Sequence, residues 1–320
     1  MAESTAAFPD FPVPALCGPL RAPRQMLAEQ TYGGHKSIHD DATAAGLGLR
    51  AGPIEGPTHF SQFDPLLAGL FGRLWFERGC ISAHYQNMVV EGEEVRAFVQ
   101  APAEGAAVAR IWAEKRDGTP VLTGSVSIGE VPAGAHELEQ RIARLRPATG
   151  LVINRDLKVG QRGAAPETVT MDFDQPMGPY YPFTLADKLE AITEPSPWYT
   201  RAGGAGSPWG RAIIPIEMIS VLLGSSDAHG LKGRGPAVGL FAGQQIRLVN
   251  GPLFVGQPYV LEREIIALSE SARTESIWIR TQVFEAGTHT LVAEMILNHA
   301  TLKASYPDYE REAHALGLAS

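Results

Sequence analysis

Cysteine is almost absent from the chain: Cys17 and Cys80 are the only two among 320 residues. Two cysteines cannot build a disulfide framework, which points to a reducing, cytoplasmic setting. They form no CxxC, and there is no HExxH, so no metal site is expected. No run of 18 apolar residues occurs, so neither a spanning helix nor a membrane partner is expected. The opening stretch MAESTAAFPDFPVPALCGPL has no basic start and is interrupted by Pro9, Pro12, Pro14 and Pro19, which is not the pattern of a leader segment. Positive charge is also scarce. Lys and Arg total 27 against 35 Asp and Glu, a net charge of −8, which excludes a basic surface for nucleic acid. The glycine-rich runs 46–56 and 203–210 lack both the GxGxxG order and a P-loop lysine, so they read as loops and imply no nucleotide cofactor.

Apolar content is ample, at 44% hydrophobic residues, and rules out a disordered chain. The length suits two domains. The 34 glycines and 24 prolines promise many turns. Residues 1–24 read as a Pro-rich segment draped on the surface, with a short helix over 25–30. Phe60, Phe63, Leu66, Leu67, Leu70, Phe71 and Leu74 recur at spacings of three and four, which predicts one helix over 58–77 after Pro57. Strands are predicted at 81–90, 94–101, 107–116 and 120–128, with Asp117-Gly118 as a type I′ hairpin turn. A helix over 135–146 ends at Pro147.

The second half repeats this plan. One or two strands over 157–174 and a helix over 181–192 lead to a glycine-rich loop. An apolar helix at 215–224 and strands near 237–249, 258–268, 274–285 and 289–302 follow. Pro53-Ile54-Glu55 pairs with Pro215-Ile216-Glu217, Asn87 with Asn250, and Asp117-Gly118 with Glu285-Ala286-Gly287. The shared order of loop, apolar helix and four strands indicates a duplicated domain rather than a solenoid. The segments are a Pro-rich stretch at 1–24, a first domain at 25–130, a helical linker at 131–155, a second domain at 156–305 and a tail at 306–320. The expected fold class is α+β. Two such units side by side form a double hot-dog, in which two tandem domains share one continuous antiparallel sheet wrapped around two central helices.

The loop YGGHKSIHDDATAAGLGLRAGPIEG, residues 32–56, resembles the MaoC-like (R-specific enoyl-CoA hydratase/dehydratase) family, with a divergent catalytic motif. His39 falls on the family's catalytic histidine, Asp41 on the aspartate two residues later, Ala45 on its alanine and Pro53-Ile54 on its Pro-Ile. The catalytic aspartate is replaced by Gly34 and the helix-start histidine by Gly56. The second loop, residues 193–218, is similar to the variant of double hot-dog members: Glu194 takes the aspartate position, Trp198-Tyr199 the Trp-Tyr and Trp209-Gly210 the Trp-Gly. The resemblance implies addition of water to an enoyl thioester, or the reverse dehydration, with coenzyme A entering only as part of the substrate. It implies a small-molecule acyl thioester as partner and a monomer or homodimer.

On that footing His39, Glu194 and His59 are the candidate catalytic residues, and Tyr199, Asp41, Gly56 and Trp198 the candidate substrate-binding ones. Each has a plainer reading. His39 can be a loop histidine bonded to the backbone, His59 a satisfied buried histidine, and Glu194 with Tyr199 a solvated and packed turn. Glu55 and Glu217 sit where a helix dipole favours an acid. Lys36, Arg201 and Arg211 are candidates for a coenzyme A phosphate or ordinary surface cations. A thioesterase using Asp64 or Glu55, and a non-catalytic acyl-binding or assembly subunit, are the competing functions.

Overall fold

The computed structural model describes residues 14–32, 35–102 and 105–318. Twelve strands and seven α-helices follow in chain order among these residues. The first are β1 (Ala15–Cys17), β2 (Thr31–Tyr32), β3 (His35–Lys36) and α1 (Asp41–Gly46). A 3-10 helix, Gly56–Phe63, runs into α2 (Asp64–Phe71) and α3 (Leu74–Arg78). Strands β4 (Gly79–Tyr85), β5 (Val95–Gln100), β6 (Ala109–Lys115) and β7 (Pro120–Ile128) complete the first half. Helix α4 (Glu137–Ala143), β8 (Glu167–Val169), α5 (Leu185–Ala191) and α6 (Ile216–Gly224) lead into the second. There β9 (Gly239–Leu248), β10 (Tyr259–Glu270), β11 (Thr274–Glu285) and β12 (Leu291–Leu302) precede α7 (Tyr309–Ala315).

Ten strands form one sheet in the order β1-β5-β6-β7-β4-β9-β12-β11-β10-β8, while β2 and β3 pair apart from it. Every neighbouring pair is antiparallel, and β4 lies against β9 with Cys80 opposite Arg247 and Ala83 opposite Gln244. That seam joins the halves. Each half therefore reads strand, then three more, in spatial order first-fourth-third-second, and the two sets are mirrored about β4 and β9. Alternation along β5 buries Val95, Ala97 and Val99 while Arg96 and Phe98 stay half-buried, the period of a sheet with one face on the core. The core holds Phe60, Phe63 and Leu67 from the first central helical stretch and Met218, Ile219 and Leu222 from α6. Both outer strands are only three residues long, which limits the exposed edge. Among the described residues no helix is long and apolar enough to cross a membrane.

Several sequence expectations change. Of the Pro-rich segment, residues 1–13 lie outside the described residues. The rest does not simply drape: residues 15–17 add an edge strand to β5 and Arg21 exchanges backbone bonds with Val95. No helix forms over 25–30, because the Gln25 side chain takes over local bonding, donating to Pro53 O and accepting from Leu27 N. The predicted helix over 58–77 is three pieces. Pro65 has no N–H to continue the hydrogen-bond ladder, and Gly72, at φ 59°, ends α2 with its N–H on Ala68 O. Only Glu167–Val169 is extended within 157–174. In the β6–β7 turn Gly118 alone has positive φ (84°), so this is a three-residue loop with a glycine bulge rather than type I′.

The duplication shows in equivalent backbone bonds. Ile54 N donates to Val89 O (2.7 Å) and Ile214 N to Leu253 O (2.8 Å). Asn87 Nδ2 caps Pro120 O (2.8 Å) as Asn250 Nδ2 caps Leu291 O (2.9 Å). Ile54 and Ile214 are 160 residues apart, as are the starts of the two central helical stretches, Gly56 and Ile216. The pairing of Glu55 with Glu217 is therefore two residues out of register. Glu55 precedes its helical stretch, and Glu217 is the second residue of α6.

Candidate active site

The first loop closes on itself. Asp40 caps α1, accepting from Thr43 N at 2.9 Å, a strong N-cap. Asp41 Oδ1 accepts from Gly52 N at 2.8 Å, and a side chain at Gly52 would overlap His39 O. His39 Nδ1 lies 2.5 Å from Pro53 O. A carbonyl only accepts, so Nδ1 carries the proton and Nε2 presents a lone pair. The same Pro53 oxygen takes Gln25 Nε2 at 2.6 Å. Thus Asp41 and Gln25 fix the loop that aims His39.

His39, Glu55, Gly56 and His59 line one cavity of about 160 Å³ at the N-terminal end of the 3-10 helix. Its walls come from both halves: Tyr85 and Val89 from the first, and Gly239–Ala242 with His299 from the second. Gly56 is there because the position admits no side chain; a Cβ would fall 2.5 Å from the Tyr85 ring. Three polar atoms of this lining are buried with no hydrogen-bond partner among the described residues: His59 Nδ1, Tyr85 Oη and Gln30 Oε1. Buried polar atoms are seldom left so, and here they surround a space for a polar ligand.

Burial pulls the two titratable groups of the loop apart. Desolvation lowers the His39 imidazole to about 4, against the opposing bond to Pro53. Desolvation raises the Glu55 carboxyl to about 7, against the Lys188 cation and the Tyr181 hydroxyl, which donates to Glu55 Oε1 at 3.2 Å. His59 is likewise held neutral, at about 4, by burial and then by the Lys188 and Lys115 cations. At neutral pH the cavity therefore contains a neutral imidazole with a free lone pair and a carboxyl that still holds a proton for part of the time. Environments that separate two such groups are the mark of acid–base pairs.

No family model and no curated protein matches the sequence. Solved structures do match in shape. A Chloroflexus aurantiacus protein described as a MaoC domain dehydratase superposes with a TM-score of 0.53 at 14% identity, covering 94% of this chain and 99% of its own. A Mycobacterium tuberculosis protein with a double hotdog fold gives 0.52 at 12% identity, covering 91% and 96%. The fold is the double hot-dog.

In this double hot-dog the second loop does not join the cavity. His39 and Tyr199 are related by the same 160-residue offset as the backbone, yet Tyr199 is buried with its hydroxyl on Asp64 Oδ2 at 2.9 Å, while Trp75 Nε1 holds Oδ1 at 2.7 Å. Glu194 forms a two-point ion pair with Arg21, at 2.6 and 3.0 Å. Trp198 packs edge-on against Phe76 and Trp209, each with centroids 5.5 Å away. The structure thus brings His39, Gly56 and His59 together and leaves Glu194, Trp198 and Tyr199 in a separate packed region, so the expected set of His39, His59, Glu194 and Tyr199 does not converge on one cavity. Asp64, pushed up to about 7 by burial, belongs to that packed region as well. Lys36 pairs with Glu29, Arg201 with Asp174, and Arg211 bonds Gln257. Sequence reasoning read Glu55 as a helix-start acid, or as the acid of a competing thioesterase, and did not place it beside His39. Its only signal was its place between Pro-Ile and Gly56, within the quoted motif. Tyr85 and His299 carry no local motif; they reach the cavity through strand pairing.

Proposed function

We propose that the protein is a hydro-lyase, a hydratase or dehydratase acting on an enoyl or 3-hydroxyacyl thioester or a related unsaturated carbonyl. The observation that carries this is that His39 and Glu55 line one shared cavity, where burial favours the neutral form of both. In the hydration direction His39 Nε2 takes a proton from water as its oxygen adds to the β-carbon. The electron pair of the double bond moves onto the carbonyl oxygen, and Glu55 delivers its proton to the α-carbon. Dehydration is the same path reversed. The Gly56 N–H opens the 3-10 helix with no partner within it, whereas Pro57 has no N–H and Thr58 N donates to Glu55 O at 3.1 Å; that single donor suits negative charge on the carbonyl oxygen. A neighbour of the same fold described as a dehydratase is consistent with this chemistry.

The test is disappearance of the conjugated chromophore when the purified protein meets a panel of enoyl-CoA thioesters. Turnover is expected, and His39→Asn and Glu55→Gln should each lower kcat by about 10²–10⁴, the usual contribution of one acid–base group. A folded protein that leaves every member of the panel intact would overturn the reading. Release of free thiol from acyl-CoA instead would make the protein a thioesterase.

A further inference from the structure

A second, larger chamber of about 550 Å³ adjoins the cavity of His39 and Glu55. The two share four lining residues, Tyr32, Gly239, Phe241 and His299. Gly239 keeps the junction open, since a Cβ there would overlap the His299 ring. The chamber is built mostly by the second half, under the C-terminal end of α6 and over β10, β11 and β12, with Tyr32 and His35 added from the first. Its volume lies in the range of cavities that enclose drug-sized ligands, far above the need of the reacting carbons, which the smaller cavity already holds.

Its chemistry is mixed. Leu223, Ile279, Met295 and Leu297 supply an apolar wall. Thr281, on β11, is 1% exposed, and its hydroxyl has no partner among the described residues. Its neighbour across the β10–β11 pair, Arg263, is already occupied, pairing with Glu167 and donating to Leu223 O at 2.6 Å. The Thr281 hydroxyl is therefore a free hydrogen-bonding group at a buried, otherwise satisfied wall. A plain alkyl chain would leave it unpaired, which disfavours that chain against one that bonds it.

We propose that this chamber is the acyl subsite of the same active site, and that it selects acyl groups carrying a hydroxyl or carbonyl oxygen on the chain beyond the reacting carbons, read by Thr281. This rests on the hydro-lyase reading for its reaction but not for its binding. The test therefore uses saturated ligands that cannot react: butanoyl-CoA, octanoyl-CoA and a series of hydroxyoctanoyl-CoA isomers with the hydroxyl moved along the chain. Calorimetry should show octanoyl-CoA binding more tightly than butanoyl-CoA, and at least one hydroxy isomer binding about tenfold more tightly again, the gain of one hydrogen bond. In Thr281→Val, nearly the same shape, the difference between that isomer and octanoyl-CoA should vanish. Equal affinities across the octanoyl series, or a preference that survives in Thr281→Val, would overturn the subsite. Enoyl-CoA turnover by the same preparation then scores the reaction separately. A preference without turnover leaves the subsite standing and removes the hydro-lyase, and turnover without a preference does the opposite.

Discussion

His39 and Glu55 are moved by the same force in opposite directions, because burial penalises whichever form is charged. With the imidazole at about 4 and the carboxyl at about 7, the active form carries neutral His39 and protonated Glu55. Its population falls below about pH 4 as His39 takes a proton and above about pH 7 as Glu55 loses one. Hydration kcat/KM should therefore be bell-shaped, with its alkaline limb near 7 set by the acid. Lys188 offers a sharper check. It is buried, with Nζ 3.1 Å from Thr58 Oγ1 and 3.5 Å from Glu217, and its cation holds Glu55 down. Lys188→Met removes that cation without touching the cavity lining, so Glu55 should keep its proton longer and the alkaline limb should move to higher pH. The same change strips buried Glu217 of its counter-charge. Stability should fall by about 3–5 kcal/mol at alkaline pH, and less near neutrality, where burial keeps Glu217 protonated more readily than a free carboxyl. An unmoved alkaline limb in a folded variant would show that Glu55 is not the group whose ionisation limits the rate.

At the level of elements, the first central helical stretch is where local pattern and tertiary demand diverge. The apolar spacing from Phe60 to Leu74 was read as one buried stripe, and it holds only as far as Leu67: Phe60, Phe63 and Leu67 are fully buried, whereas Leu70 and Leu74 are exposed. Its division into a 3-10 helix and two short helices follows from Pro65 and Gly72, whose backbone effects a periodicity count ignores. The four strands of each half were legible within a few residues because alternation and turn residues are local. The edge strand β1 was not, and β8 was legible only as part of the wider stretch 157–174, because a three-residue strand is defined by its partner. The same contrast governs the site. His39, Gly56 and His59 come from one loop and meet in one cavity, whereas Glu194 and Tyr199 occupy the duplicated motif positions but are captured by Arg21 and Asp64, partners that no motif displays. Gly56 ties element to site. Gly56→Ala would press a methyl group into the Tyr85 ring, 2.5 Å away, and overpacking of that kind costs about 1–3 kcal/mol. Denaturant unfolding should register that loss, and Gly56→Ala combined with Tyr85→Leu should recover most of it. Full stability in the single variant would mean that the ring is not packed against the helix start.

Across the whole molecule the two halves are alike in backbone and unlike in what fills them. The first keeps a polar cavity behind its helix start. At the equivalent place in the second, Tyr199 is buried and joins Trp75 in donating to Asp64. This asymmetry loads the interior with titratable groups of both kinds, and stability should depend on pH accordingly. Five histidines, His39, His59, His136, His229 and His299, are lowered to about 4 by burial. Unfolded, they take a proton near 6.5. Between those values the unfolded chain binds more protons than the native one, so their contribution to stability rises with pH from about 4 to 6.5. Glu55 and Asp64, raised to about 7, do the reverse. They hold a proton in the native state where the unfolded chain has released it, so their contribution is full below about 4 and is lost as pH climbs through 7. Five groups outweigh two over the acid range, and Glu93, held at about 2 chiefly by its bonds to Lys115, Val90 and Arg50 against desolvation, adds to the rise. Above about 7 both states have released these protons, so neither set adds slope. The thermal midpoint should therefore climb from pH 4 and level off above about 7. Asp64→Asn, which keeps the shape and cannot ionise, removes one opposing carboxyl and should steepen the climb between about 4 and 7. An unchanged slope in that variant would mean that Asp64 enters the folded interior already ionised, and the same comparison with Glu55→Gln tells whether Glu55 has a proton to give at neutral pH.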